Sequence, residues 1–527
     1  MSWNKLCAFT AGTSMLLLQG VSVAAVDAPP KTLSEETKIC VECHKGDNPG
    51  IVQQWGASKH YGASVGCYEC HAANADDVDA FNHKPGKMGK DTFISTIVSP
   101  ADCSNCHPKE VQQYTDSHHA QGARILGSMD NLLAEVVEGN RQFNTEGTKG
   151  ESAAVVNGCW QCHGTEVKVL KDEEGKVTGL DPATWPNTGI GRINPDQSKG
   201  SCTACHSRHA FSVAQARNPE NCGKCHMGPD HPQYEIYIES KHGIAFRANR
   251  DKMNIDSPKW VAGEDYSAAP TCATCHMSAT ADGMEVSHDV GLRISWTNRP
   301  PVSVRPEISD AIMGLPGADV PWDERRDNMK SVCAACHNSA FVDGFYTQYD
   351  GQINMYNDKF AIPGLALYNL AKPLFAKQIK FANHIDFVWF EIWHHEGRRS
   401  RHGASMMGPD WTQWHGNYEV GKHFYTYYMP ELEELIEKHI HSEDANKKKV
   451  AEELRVMVDA VLNDEFVIDE GLPTERKSTG HLWFIGKMSE EEANARTQEI
   501  TDFKSRYGVD EGQDKFGQDD VKKDVEK

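Results

Sequence analysis

The sequence predicts a mainly α chain in two parts, a cysteine-rich region with little regular structure followed by a region of long helices. Three observations predict it. Sixteen of the 17 cysteines fall in one repeated five-residue spelling between residues 40 and 337. The chain beyond that point has no cysteine and repeats apolar residues at helical spacing. Strand-like alternation is missing throughout, apart from short ribbons expected near residues 167–177.

The repeated spelling is Cys-x-x-Cys-His, and it occurs eight times. Its members are Cys40, Cys43 and His44; Cys67, Cys70 and His71; Cys103, Cys106 and His107; and Cys159, Cys162 and His163. The second four are Cys202, Cys205 and His206; Cys222, Cys225 and His226; Cys272, Cys275 and His276; and Cys333, Cys336 and His337. This is the attachment site of a c-type haem, with two thioethers to the porphyrin and the following histidine as proximal iron ligand. Structural zinc needs four close ligands but has no need of a histidine after every second cysteine. A disulfide framework suits a short secreted chain, not 527 residues with one uniform spacer. The cofactor set is therefore eight haem c, and the first region reads as a multihaem cytochrome c domain over residues 26–355. Haem at this density replaces much of an apolar core. The Gly, Pro, Asn and Asp content suits short helices joined by loops.

Residues 1–25 read as a secretory signal: Lys5, an apolar stretch at 15–18, and small residues at 22–25. Cys7, the one cysteine outside the motifs, lies within it and is a poor site for a lipid anchor. No segment has the twenty or so apolar residues of a membrane span, so the mature protein is expected in the periplasm or an equivalent extracytoplasmic compartment. Residues 356–500 form the helical region. Phe375, Ile379, Ile385, Val388, Trp389 and Ile392 fit a first helix. A second starts near Pro430 with Leu432, Leu435, Ile436 and Ile440 on one face, and a third near Val450 carries Leu454, Met457, Val458, Val461 and Leu462. Residues 501–527 are charged and repetitive, a tail expected to be mobile. The formal charge of −21 offers no basic face for nucleic acid. It points to small redox proteins with a basic docking face as electron donor or acceptor.

Of the 25 histidines, eight are proximal ligands. A second repeat, Ser-x-His, supplies distal candidates at His60, His119, His209, His242 and His402, and His83 and His288 lie a short distance from a motif. These seven would saturate seven irons for electron transfer and leave one open. His118, His384, His394, His395 and His415 are alternatives, and the count does not say which haem is open.

Asp230, His231, Pro232, Tyr234 and Glu235, followed by Lys241, His242 and Gly243 and by the motif at Cys272 with Met277 after it, form a run that resembles the pentahaem cytochrome c nitrite reductases. From about residue 38 to 465 the chain is similar to the octahaem hydroxylamine oxidoreductase family. The shared features are eight haem motifs, the run from His288 to Gly291, and the run from His394 through Arg398 and Arg399 to Trp414, His415 and Gly416. The resemblance implies that the five-coordinate haem is the one on Cys159 and Cys162, with Asp230 and His231 as its distal catalytic pair. An imidazole beside a carboxylate passes protons at neutral pH. It also implies a homotrimer, and a distal tyrosine for which Tyr266 is a candidate. Oxidative members carry a tyrosine that cross-links the catalytic haem of a neighbouring subunit. Trp411 stands at that position here, and an indole has no phenolic oxygen; Tyr418 is displaced by roughly 10 Å along a helix. The resemblance is therefore to the reductive branch: nitrite reduced through nitric oxide and hydroxylamine levels, down to ammonia. Oxidation of hydroxylamine or hydrazine at the same site is one alternative, and a non-catalytic electron carrier with every haem six-coordinate is another.

Overall fold

The computed structural model describes residues 32–83, 91–126, 158–182 and 184–466, with single positions or short stretches at 489–491, 494 and 498. The expected signal segment with Cys7 and the charged tail lie outside the described residues. By contacts the chain divides into two compact units: Met1–Thr96 with His206–Ser212, and Ile97–Cys205 with Val213–Lys527.

The smaller unit is built on the first two haem motifs. Ser34 caps the helix Glu35–Asp47, its hydroxyl accepting the Thr37 N–H at 3.2 Å. That helix carries Cys40, Cys43 and His44, and the second motif is itself the short helix Cys67–His71. Glu69 binds the two together: its carboxylate accepts the Thr37 hydroxyl at 2.9 Å and the Gly66 N–H at 2.9 Å. Trp55, buried on the helix Pro49–Gly56, donates its indole N–H to the Val65 carbonyl at 2.9 Å. A two-residue antiparallel ribbon, Phe81–Asn82 against Phe93–Ile94, ends at His83.

In the larger unit the haem region keeps to short pieces. Among the described residues, its elements before residue 300 are helices of three to nine residues and one antiparallel ribbon, Val169–Lys171 with Val177–Leu180. The ribbon falls where alternation predicted it. Helices then lengthen. Trp322–Ala334 delivers Cys333, and Ser339–Tyr356 continues through a π-helical turn, Asn357–Ala361, into Ile362–Ala371. Residue 355 lies inside this rod. His384–Phe390 runs through the π turn Glu391–Glu396 into Gly397–Ser405, and Pro409–Thr412 leads through two further π turns to Met429–His439. Ala445–Leu462 follows. Two of the π turns have a local cause. Pro363 and Pro430 lack an N–H and would clash with the carbonyls of residues 359 and 426 in a regular helix; a widened turn occupies each of those places, at Asn357–Ala361 and Phe424–Tyr428.

The main apolar core is here: Tyr356 and Leu367 of the rod, Leu432, Ile436, Leu454 and Val458 are each at most 1% exposed. The second and third predicted helices therefore bury the faces expected of them. The first does not begin at Phe375. Residues 375–383 are non-helical, Phe381 has φ +60°, and the helix starts only at His384. Asn383 forms a capping box there, with its N–H donated to the Asp386 carboxylate at 3.0 Å.

Candidate haem and catalytic site

Placing a Cys-x-x-Cys-His motif on a helical turn puts the two cysteines at i and i+3 on one face, with the histidine one position further. Cys67–His71, Cys159–His163 and Cys272–Met277 are such turns. The third is capped by Thr271, whose hydroxyl takes the Thr274 N–H at 3.4 Å. In the larger unit the motifs meet one another through their cysteines. The side chain of Cys103 lies beside that of Cys202, Cys162 beside Cys225, and Cys222 beside Cys272. Cys205 has Cys222 as a neighbour, and Cys275 has Cys333. The motifs thus form a connected series from Cys103 to Cys333, and the motif at Cys159 joins it at the motif of Cys222.

The histidines fit haem iron. An imidazole nitrogen about 2 Å from a metal puts the ring centre roughly 3 Å from it, so two rings across one ion stand about 6 Å apart. Four of the seven distal candidates face a motif histidine at that spacing: His83 and His44 at 6.3 Å, His209 and His71 at 6.5 Å, His119 and His226 at 6.1 Å, and His242 and His337 at 6.1 Å. Second partners set the ring orientation. Nδ1 of His71 lies 2.7 Å from the Ser95 carbonyl and Nδ1 of His44 lies 2.9 Å from the Asn48 amide oxygen, which leaves Nε2 as the ligating nitrogen. Burial lowers His226 to about 3 and His119 and His276 to about 4, so each is neutral, the form that binds a metal. His288 sits beside His107, and its pKa is lowered by burial and, in smaller part, by that neighbour. His402 is half-buried, near His226 and His231. The ring of His60 packs edge-on against Phe211 at 4.9 Å.

Asp230 and His231 stand together at the turn leading into the helix Gln233–Glu239. Gly228 takes φ +104° and donates its N–H to the Glu235 carboxylate at 3.0 Å, which is why glycine serves this turn. Asp230 Oδ1 is 3.4 Å from His231 Nε2, and Oδ2 is 3.3 Å from Arg398 Nη1 and 3.8 Å from His394 Nδ1. Arg398 is itself fixed, donating Nε–H and Nη2–H to the Arg299 carbonyl at 3.0 and 2.7 Å. His231 Nδ1 is buried with no hydrogen-bond partner. Its ring is 6.4 Å from that of His226, so His226 faces both His119 and His231. His395 also lies within the field of Asp230, and burial lowers it to about 4.

Comparison with known proteins agrees with this histidine and cysteine geometry. A family model described as seven times multi-haem cytochrome CxxCH matches residues 189–379, and one described as cytochrome c554 and c-prime matches residues 102–207. A curated relative from Kuenenia stuttgartiensis, a probable nitrite reductase-hydroxylamine oxidoreductase fusion protein, is 29% identical over 58% of this chain. The alignment covers 34% of that relative, so the chain spans about a third of its length. A solved structure titled hypothetical multiheme protein is 28% identical, covers 80% of this chain and 100% of its own, and superposes with a TM-score of 0.66. A chain of the Kuenenia stuttgartiensis reducing HAO-like protein complex Kustc0457/Kustc0458 is 18% identical over 82% of this chain and 89% of its own, with a TM-score of 0.49. The chain is similar to multihaem c-type cytochromes over residues 102–379.

Two aromatic residues of this cytochrome singled out by the sequence have clear surroundings. Trp411 donates its indole N–H to the Glu239 carboxylate at 2.9 Å and lies 4.8 Å from the His415 ring. Tyr266 belongs to a core cluster: it stacks on Trp260 at 4.6 Å and bonds the Thr274 hydroxyl at 2.6 Å, on the seventh motif's helix. Its hydroxyl is therefore committed away from Asp230. Arg398 was not identified as a site residue by the sequence, and His394 was named only as an alternative iron ligand. The further signal was membership of the run from His394 to Arg399, because the meeting of Arg398 with Asp230 spans 168 residues of chain.

Proposed function

We propose that this cytochrome is an octahaem oxidoreductase that reduces nitrite, through the nitric oxide and hydroxylamine levels and down to ammonia, at one haem with an open position. That haem is the one on Cys159 and Cys162, with His163 proximal. His60, His83, His119, His209, His242, His288 and His402 are the distal ligands of the other seven, and the match of ring spacing at four of them supports this. Bound haem c supplies an iron for the substrate and a path for electrons.

The protein's own part is proton handling and orientation. Arg398 fixes the Asp230 carboxylate, and Asp230 in turn faces His231 Nε2. With its Nε2–H given to Asp230, the His231 ring presents Nδ1, an atom left without a protein partner, for exchanging protons with a bound substrate. This arrangement favours His119 over His231 as the partner of His226. Reduction of an N–O bond consumes protons, and a carboxylate-oriented imidazole is suited to deliver them one at a time.

The observation that carries the direction is Trp411. Its ring has no phenolic oxygen and its N–H is occupied by Glu239, so it makes no haem cross-link of the kind that favours electron withdrawal. A second reading, hydroxylamine oxidation, has support in the name of the curated relative, which joins both activities. The test is steady-state turnover of nitrite with a reduced viologen dye, set against hydroxylamine with an oxidised acceptor. Fast nitrite consumption is expected. Rapid hydroxylamine oxidation without detectable nitrite turnover would overturn the reading, and eight low-spin ferric haems with no high-spin signal would make the protein an electron carrier. We further propose export, a homotrimeric assembly and a small basic redox partner; among the described residues no helix is long and apolar enough to cross a membrane.

A further inference from the structure

Arg401 is fully buried at 0% exposure, on the helix Gly397–Ser405, immediately before His402. Four of its N–H groups are taken by neutral oxygens. Nε–H is donated to the Gly397 carbonyl at 2.8 Å, Nη1 to the Pro300 carbonyl at 3.0 Å and the Ser303 hydroxyl at 2.9 Å, and Nη2 to the Trp393 carbonyl at 3.1 Å. Its guanidinium lies 4.3 Å over the Tyr356 ring. Among the described residues no carboxylate pairs with it. Arg398, one turn earlier, has Asp230; Arg325 and Arg326 have Asp310 and Asp350.

A guanidinium does not lose its proton in a protein interior, so this charge persists, and neutral carbonyls solvate it without cancelling it. In a low-dielectric interior it acts over a longer range than it would in water. The next residue in the chain is His402, half-buried, and among the charged groups around its imidazole Arg401 acts most strongly. A fixed positive charge beside an iron disfavours the ferric form, which carries one more positive charge than the ferrous form.

We propose that Arg401 is a redox-tuning residue: its buried, unpaired charge raises the reduction potential of the haem held by His402 and makes that haem an electron reservoir beside the Asp230–His231 pocket. The proposal rests on His402 as an axial ligand. Arg401 touches no substrate and acts through its field alone.

The test is a spectropotentiometric titration of the holoprotein as wild type, Arg401→Lys and Arg401→Met. Both substitutions disturb the carbonyl contacts, but only the second removes the charge. Arg401→Met is expected to move one haem component to lower potential by a factor of about ten in its electron-exchange equilibrium, about 59 mV for one electron. Arg401→Lys should stay near wild type. Ser303→Asp, which keeps the arginine and sets a carboxylate against it, should reproduce the fall if the methionine variant does not fold. Equal shifts in the lysine and methionine variants, or no shift in the methionine and aspartate variants, would overturn the proposal. His402→Ala separates the underlying assumption: a new high-spin haem supports ligation by His402, and unchanged spin states refute it whatever Arg401 does.

Discussion

At the scale of single residues, this protein places charged groups in its interior and satisfies them unequally. Glu396 is a case away from the haem motifs. Its side chain is 4% exposed, Oε1 lies 2.5 Å from His423 Nδ1, and Oε2 is buried with no partner. The hydrogen bond to Glu396 raises the pKa of His423 above its ordinary value of 6.5, against the opposing effect of burial. A histidine whose folded-state pKa is raised contributes stability that is fully present below about pH 6.5 and is lost as pH rises through the folded value. The unfolding midpoint should therefore fall as pH rises above 6.5, and Glu396→Gln should flatten that dependence. Parallel pH slopes for the two proteins, measured by circular dichroism in denaturant, would contradict the assignment. What the sequence revealed at this scale depended on local spelling. The sixteen motif cysteines and eight proximal histidines announce themselves within five residues. Arg398, Arg401 and Glu396 acquire meaning only from partners dozens to hundreds of positions away, which no local pattern encodes.

At the scale of elements, the helix that carries His402 and the segment that carries Trp411 approach almost backbone to backbone. A Cβ on Gly416 would lie 2.5 Å from Ser400 Cα and 2.7 Å from the Trp411 carbonyl oxygen, and one on Gly403 would lie 2.6 Å from the Thr412 nitrogen. Gly416→Ala has no flexible neighbour to displace, so it should cost roughly 1–3 kcal/mol as overpacking and lower the denaturation midpoint. Because the strain falls on the helix of His402, a change in the haem absorption spectrum should accompany it; an unperturbed midpoint and spectrum would mean that the two segments are not rigidly packed. Helix faces were legible where apolar residues recur without interruption, as at Leu432 and Ile436 or Leu454, Val458 and Val461. They were illegible elsewhere for two reasons. In the rod Ser339–Ala371, Gly344, Gly351, Pro363 and Gly364 read as breaks, yet Gly364 lets the Trp389 ring approach and Pro363 is accommodated by a π turn. At 375–383 the apolar spacing mimicked a helix that the Asn383 cap excludes.

At the scale of the whole molecule, electron flow depends on which motifs lie together, and spacing along the chain does not reveal this. In the larger unit the cysteine contacts link the motifs of Cys103, Cys202, Cys222, Cys272 and Cys333 in series, with the motif of Cys159 attached at Cys225. The motif of the proposed open haem thus has a direct neighbour in the motif of Cys222, from which it can receive electrons. The same arrangement makes covalent composition decisive. If all eight motifs are loaded and Trp411 forms no bond to a neighbouring haem, mass spectrometry of the denatured protein should return one polypeptide carrying eight haem c groups, with no covalent multimer. Seven haems would remove a member of the relay. A covalent trimer would place the cross-link elsewhere in the chain, and the case for inward electron flow to a nitrogen oxide would lose the residue on which it stands.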